Sequence, residues 1–366
     1  MNEIAEYLRS GGTLDGIKHE YGIKWRRHGR YPHLISFTYD QFASDMKRPI
    51  CREARGIVLD EIDNWRCVCR PFEKFFNLGE PNAASIDWEL AWVEPKLDGS
   101  MVCMWWYGGG WEFSTTGTPD AEAEHGETFR SKFLSCLESN GVMLLPPPRR
   151  PGLTYIFEFM DSENPIVVRH DKTKIALLDV RDNATGEWLR KELPEGMIGV
   201  SIVRALNILV TAISVVESAS RLDGLEHEGF VVASPVGGNW KNLSRVKVKS
   251  PDYVSRHRFK YTITEERLMD VVKSGDVDEV ILIFPGLADR LNSMRASLAD
   301  YADKADTRYM EVMAKIGPDF SRKDFANIAS GSMSWIMFKM LDSDSDATTI
   351  LRETASKKLL RLIDGR

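Results

Sequence analysis

The first 255 or so residues alternate short apolar runs with turn-forming clusters. Strand-like segments are Ile35-Ser36-Phe37-Thr38-Tyr39, Gly56-Ile57-Val58-Leu59, Met101 to Tyr107, Tyr155 to Phe159, Ile175 to Val180, Gly229 to Ala233 and Val246 to Lys249. Gly, Pro, Asp and Asn separate them, as at sheet edges and hairpins. Gly108-Gly109-Gly110 reads as a hairpin turn and not a phosphate cradle, because no helix signal follows it. Pro146-Pro147-Pro148, before Arg149 and Arg150, reads as an extended connector.

After about residue 260 the period changes. From Leu287 to Ile316 there is neither Gly nor Pro, and Leu287, Leu291, Met294, Leu298, Tyr301, Ala305, Tyr309, Val312 and Ile316 step by four and three. That is one face of a long helix. Gly317-Pro318 ends it, Ser321 with Asp324 predicts a capping box, and Thr348 to Ile363 predicts a further helix. The expectation is an α+β fold with a strand-rich body over 1–258 and an all-helical C-terminal domain over 259–366.

Composition narrows the setting. With 28% charged and 43% hydrophobic residues, the chain reads as soluble and globular. No apolar run approaches the roughly 20 residues of a membrane span, and MNEIAEYLRSGG lacks the apolar core of a signal peptide. Five cysteines form no CxxC pair and seven histidines no HExxH or HxH group, which argues against a disulfide framework or a histidine metal centre. A monomer in a reducing cytoplasm is expected, a host's cytoplasm if the gene is viral. The net charge of −6 argues against binding nucleic acid through overall charge, but Lys241 to Lys260 holds seven Lys or Arg against one acid, Asp252.

The candidate chemistry begins at "VEPKLDGS", where Lys96 stands two residues before Asp98-Gly99. A neutral lysine amine is a good nucleophile toward carbonyl carbon or activated phosphorus. For phosphorus the site also needs cations around the phosphate oxygens and carboxylates for a divalent metal. Such parts follow on strand-like segments. In "TYIFEF", Tyr155, Phe157 and Phe159 share one face and leave Glu158 on the other with Ile156; in "EHEGFVV", Glu226 and Glu228 share a face before Gly229. In "SRVKVKS", Val246 and Val248 point one way and Arg245, Lys247 and Lys249 the other, a like-charged row that an anion would relieve.

The ordered set KLDG at 96–99, YIFEF at 155–159, LLDVR at 177–181, HEGFVV at 227–232 and KVK at 247–249 resembles motifs I, III, IIIa, IV and V of the covalent nucleotidyltransferases. These comprise the ATP-dependent ligases and the mRNA capping enzymes. "REARGIVLD" at 52–60, "FEKFFNLGE" at 72–80 and "KVKSPDYV" at 247–254 resemble the phage RNA ligase 1 family in particular. The resemblance implies a nucleotidyltransferase core of antiparallel sheets with flanking helices. It implies that Lys96 attacks the α-phosphorus of ATP and holds AMP, that Arg55 and Lys74 contact phosphates, and that Phe76 supports the base pocket. Glu158 would bind the ribose or place Mg²⁺ or Mn²⁺, Glu228 would serve metal and reacting phosphate, and Lys247 and Lys249 would neutralise the α-phosphate. Asp98 and Gly99 would shape the nucleophile's loop, and Glu94 would read the adenine amine. Arg55, Lys74, Lys247 and Lys249 would surround Lys96 with positive charge.

The implied partners are ATP and RNA with 5′-phosphate and 3′-hydroxyl ends, such as a broken tRNA, with 241–260 tracking the RNA backbone. The alternatives are a GTP-using capping guanylyltransferase, a DNA ligase, or a catalytically silent RNA-binding protein. In one respect the chain departs from the family. Where a lysine usually precedes a glycine after motif I, "EFSTTGTPDA" has Thr116 before Gly117.

Overall fold

The computed structural model describes residues 2–122, 128–142, 145–163, 166–189, 191–197, 200–208, 210–258, 264–317, 320–343 and 345–363. They form two compact units, one of Met1–Asp40 and Ser44–His257, the other of Gln41–Ala43 and Arg258–Arg366.

The first unit holds three sheets. β1 (Ile23–Arg27), β2 (Leu34–Tyr39), β3 (Arg55–Asp60) and β4 (Arg66–Cys69) pair antiparallel in sequence order. β5 (Trp92–Lys96) leads into β6 (Ser100–Tyr107), β7 (Gly110–Thr115), β8 (Leu153–Met160), β9 (Lys174–Asp182) and β10 (Ser201–Ile202). The last five make a sheet in the order β10-β9-β8-β6-β7, antiparallel except for the β9–β10 pair. β5 itself joins β11 (Gly229–Val236) and β12 (Asn239–Lys249) in a three-stranded sheet, order β12-β11-β5.

Alternation explains how these strands serve a core and a cleft together. Tyr155, Phe157 and Phe159 of β8 sink into one apolar cluster with Phe133 from the helix Phe129–Ser139. Ile156, on the opposite face, packs with Trp105. In the three-stranded sheet, Val93, Phe230, Val232, Val246 and Val248 close over Val215 and Ala219 of the helix Ala212–Ser220. The turn at Gly108-Gly109 closes the β6–β7 hairpin, and the connector at 146–148 lies outside helix and strand, as the sequence suggests.

In the second unit the helix Ala288–Ile316 buries Leu291, Met294, Leu298, Ala302, Ala305 and Val312. Its stripe is the predicted one, with Ala302 fully enclosed beside the half-buried Tyr301. The Gly317 amide caps it on the Met313 carbonyl, while Pro318 lies outside the described residues. Ser321 and Asp324 form the predicted capping box. The helix expected over 348–363 is two helices, Ala347–Glu353 and Ser356–Ile363. Thr354 is extended between them; its hydroxyl donates to the Ile350 carbonyl at 2.7 Å and its own carbonyl accepts from Lys273 Nζ at 2.8 Å. The bend lets Ile350, Leu351 and Leu359 enter one core, which a straight helix would not allow.

Candidate active site

β11 is the middle strand of its sheet, and its register fixes the site. Gly229 pairs with Lys96 on β5 and with Lys249 on β12; Val231 pairs with Glu94 and Lys247; Ala233 pairs with Trp92 and Arg245. Because alternate residues share a face, Trp92, Glu94 and Lys96 line up on one flank of that face and Arg245, Lys247 and Lys249 on the other. Glu94, Lys96, Val231, Arg245 and Lys247 line a cleft of about 430 Å³. Its other walls include Arg55, Phe75, Met101, Thr116, Glu158 and Asp179.

At the Gly229 end a carboxylate sits between two amines. Glu228 accepts from Lys96 Nζ at 2.6 Å on Oε2 and pairs with Lys249 Nζ at 3.2 Å on Oε1. Gly229 makes this possible. Its φ is +145°, and a Cβ there would lie 2.2 Å from the Val248 carbonyl oxygen, so no other residue fits between the two lysine strands. Lys96 therefore stands against an anion, not in the all-cationic surround that the motif set suggests.

The charge stress falls on other groups. Lys247 is pushed well below the usual lysine range, first by removal from water and then by Lys74, Lys249, Arg55 and Lys96. Among the described residues no carboxylate pairs with Lys247 or Arg55. Glu158, opposite Met101 in the β6–β8 register, is pushed up to about 7, chiefly by burial; Glu228 adds to this and Lys96 opposes it. Glu158 and Glu228 thus bring two carboxylates, hard-oxygen donors that could hold a divalent cation, beside the candidate nucleophile. Among the described residues no three His, Cys, Asp or Glu side chains form a metal cage.

The KLDG loop is shaped from behind. Asp98 is buried and accepts from the amides of Val167 and Val168 at 2.9 and 2.8 Å and from the Tyr253 hydroxyl at 2.7 Å. Tyr253 of "KVKSPDYV" is thereby tied to motif I. Gly99 lets the loop press on β8: a Cβ there would lie 2.4 Å from the Phe159 carbonyl oxygen and 3.1 Å from Glu158 Cγ. Glu94 accepts from Trp92 Nε1 at 3.0 Å and from Lys191 Nζ at 2.7 Å.

Other expectations shift. Lys74 and Phe76 line a separate pocket of about 230 Å³ with Arg52 and Arg181, which shares Phe72, Phe75 and Arg245 with the cleft. Phe72, Phe75 and Phe129 line the cleft, Phe75 with its ring 5.1 Å from Lys247 Nζ, while Phe76 contributes its carbonyl to the Lys247 amide. Glu226 does not share the Glu228 face. It lies exposed in a turn, because β11 begins only at Gly229. The basic stretch is not a continuous surface either: Lys241 pairs with Glu187, Arg245 with Asp179, Lys249 with Glu228 and Arg256 with Asp252. The side chain of Arg258, and Lys260, lie outside the described residues. Thr116 does line the cleft, its carbonyl held by the Thr38 hydroxyl at 2.7 Å.

Two cleft residues that the motif reading covered were given no role by it. Asp179 on β9 and Arg245 on β12 meet at 2.5 Å, and the guanidinium lies 3.9 Å from the centroid of Trp188. Burial raises the Asp179 carboxyl while Arg245 draws it down. The sequence signal was an acid inside the apolar run LLDV, and an arginine in phase with Lys247 and Lys249.

Comparison with known proteins adds to this geometry. A family profile described as RNA ligase matches residues 53–266. The chain is 26% identical over 376 aligned positions to an RNA ligase of Rhodothermus phage RM378, covering 84% of each chain. It is 27% identical over 172 positions to RNA ligase 1 of bacteriophage TS2126, covering 45% of this chain and 42% of that one. Among solved structures, an archaeal ATP-dependent RNA ligase aligns with a TM-score of 0.44 at 17% identity, over 71% of this chain and 68% of that chain.

Proposed function

The chain belongs to the RNA ligase family, and on that premise we propose that it uses ATP to seal RNA 5′-phosphate and 3′-hydroxyl ends through AMP bound covalently to Lys96. The observation that carries this reading is the meeting of Lys96, Glu228 and Lys249 around Gly229, with Lys96, Glu158 and Lys247 lining one cleft.

The groups have complementary tasks. The Lys96 amine attacks the α-phosphorus, a P–N bond forms, the bond to the β-phosphate oxygen breaks, and pyrophosphate leaves. Glu228 Oε2, 2.6 Å from Nζ, is placed to take the proton that the amine gives up. Lys247 and Lys249 face the α-phosphate oxygens and stabilise the charge that builds on them. Arg55 serves the phosphates from the opposite wall, and Lys74 reaches the outer ones from the adjoining pocket. Mg²⁺ or Mn²⁺ would take oxygens from Glu158 and Glu228 and supply charge neutralisation at the phosphates. In the next step an RNA 5′-phosphate oxygen attacks the same phosphorus and Lys96 departs. A 3′-hydroxyl then attacks the activated 5′-phosphate, AMP leaves, and the strand is closed. The helical unit would select the RNA, a cleaved tRNA being one candidate.

The test is an intact-mass measurement after incubation with ATP or GTP and metal, without RNA. The expected result is an AMP adduct on protein stripped of bound nucleotide, absent in Lys96→Ala. A GMP adduct would move the reading to capping chemistry, and no adduct with either nucleotide would remove the covalent mechanism.

A further inference from the structure

Two donors converge on a single oxygen of Glu94. Lys191 Nζ lies 2.7 Å from Oε1, and Trp92 Nε1 donates to the same atom at 3.0 Å. Lys191 is itself anchored by the Val203 carbonyl at 3.3 Å, and the Trp92 ring is braced by Trp240, stacked with centroids 5.7 Å apart. Among the described residues no donor reaches the second oxygen, Oε2, and the Glu94 side chain keeps 16% of its surface exposed.

The two holders stand outside the cleft. Glu94 lines it, whereas Lys191 and Trp92 line a separate groove of about 410 Å³ walled by Trp188 and Trp240. A ligand in the cleft can therefore meet Oε2 while the groups that fix it remain behind the carboxylate. Lys96 lies two residues further along the same face of β5, about 7 Å away. A nucleotide lying along that strand has its base near Glu94 when its α-phosphorus is near Lys96.

A carboxylate pinned at one oxygen offers its other oxygen as an acceptor in a fixed direction. The 6-amino group of adenine is a donor and satisfies it. Guanine carries a carbonyl oxygen at that position, which the carboxylate repels. Left unpaired, Glu94 would also add a negative charge facing an incoming triphosphate, which the Lys191 ammonium offsets.

We propose that Lys191 and Trp92 are positioning residues that turn Glu94 into a one-oxygen reader of the purine 6-amino group, and so set which nucleotide reaches Lys96. This rests on the covalent nucleotidyl transfer proposed above.

The test measures adduct formation against concentration for ATP, GTP and purine riboside 5′-triphosphate, which lacks the 6-amino group. The wild-type protein should prefer ATP to both. In Lys191→Met the KM for ATP should rise about tenfold, while the rate at saturating ATP falls less than about threefold. The preference for ATP over the purine riboside analogue should shrink by a similar factor. Lys191→Arg should restore both, and Trp92→Phe, which removes only the N–H donor, should give a smaller shift in the same direction. A Lys191→Met protein that keeps the wild-type preference among the three nucleotides, or loses only saturating rate, would overturn the inference. A wild-type protein that forms no adduct at all would instead fail the underlying reading.

Discussion

The two faces of the sheet β12-β11-β5 share a backbone and a register, yet differ in almost every other property. One carries Val93, Phe230, Val232, Val246 and Val248, all nearly inaccessible to water. The other carries Glu94, Lys96, Arg245, Lys247 and Lys249, the first four lining a cleft. The comparison teaches that the apolar face supplies rigidity and the charged face gives some of it back. A row of cations on one strand is an unfavourable arrangement until an anion arrives. Alternation lets one short sheet bear both at adjacent positions.

The difference can be broken from either side. The largest effect on stability is expected on the apolar face. Phe230→Ala should cost about 3 kcal/mol in chemical denaturation, while nucleotide uptake per folded molecule falls far less than in Lys96→Ala. A cost near zero would mean that the apolar face does not hold the sheet.

A smaller effect, of opposite sign, is expected on the charged face. Lys247→Met should stabilise the nucleotide-free protein by about 1 kcal/mol at neutral pH, yet weaken ATP uptake by at least about tenfold. The sign follows from its depressed proton affinity. The folded state binds that proton more weakly than the unfolded chain, so the lysine penalises folding at neutral pH, and the penalty fades as pH rises toward its ordinary value. The advantage of methionine should shrink over the same range, which thermal unfolding against pH would show.

The smallest effect is a slope. Glu158 holds its proton more tightly when folded, so its contribution is fully present below pH 4.5 and is lost as pH rises to about 7. Glu158→Gln should flatten the decline in melting temperature across that window. A wild-type and variant pair with parallel profiles would refute the assignment.

The same comparison shows what can be read from letters. β8 and β12 were legible because Tyr155, Phe157 and Phe159 put aromatic rings at every second position, and Val246 and Val248 alternate with charged residues, against a buried core. β1, IKWRR, and β4, RCVC, lack that alternation and are strands because β2 and β3 offer them edges. Lys96, Glu158, Arg55 and Lys247 lie on strands that motif order marks, and they line one cleft; Glu228 precedes its strand, so no period gave its direction. Lys191 could not, because it lies on no strand and meets Glu94 only through the folded chain. That Phe75 and not Phe76 lines the cleft could not be read from FEKFF, which lies outside helix and strand, so no period assigns its faces. The break at Thr354 depends on Lys273, far away in sequence.

Gly229 also has a consequence for biosynthesis. Lys96 is made early and Lys249 late, and they come together only when the strand beginning at Gly229 lies between them. A growing chain that has exposed Lys96 but not yet emerged past β12 has a lysine but no site. Any covalent mark placed on Lys96 by this chemistry would therefore be found only on molecules whose first unit is complete. A chain truncated or stalled before β12 would carry none.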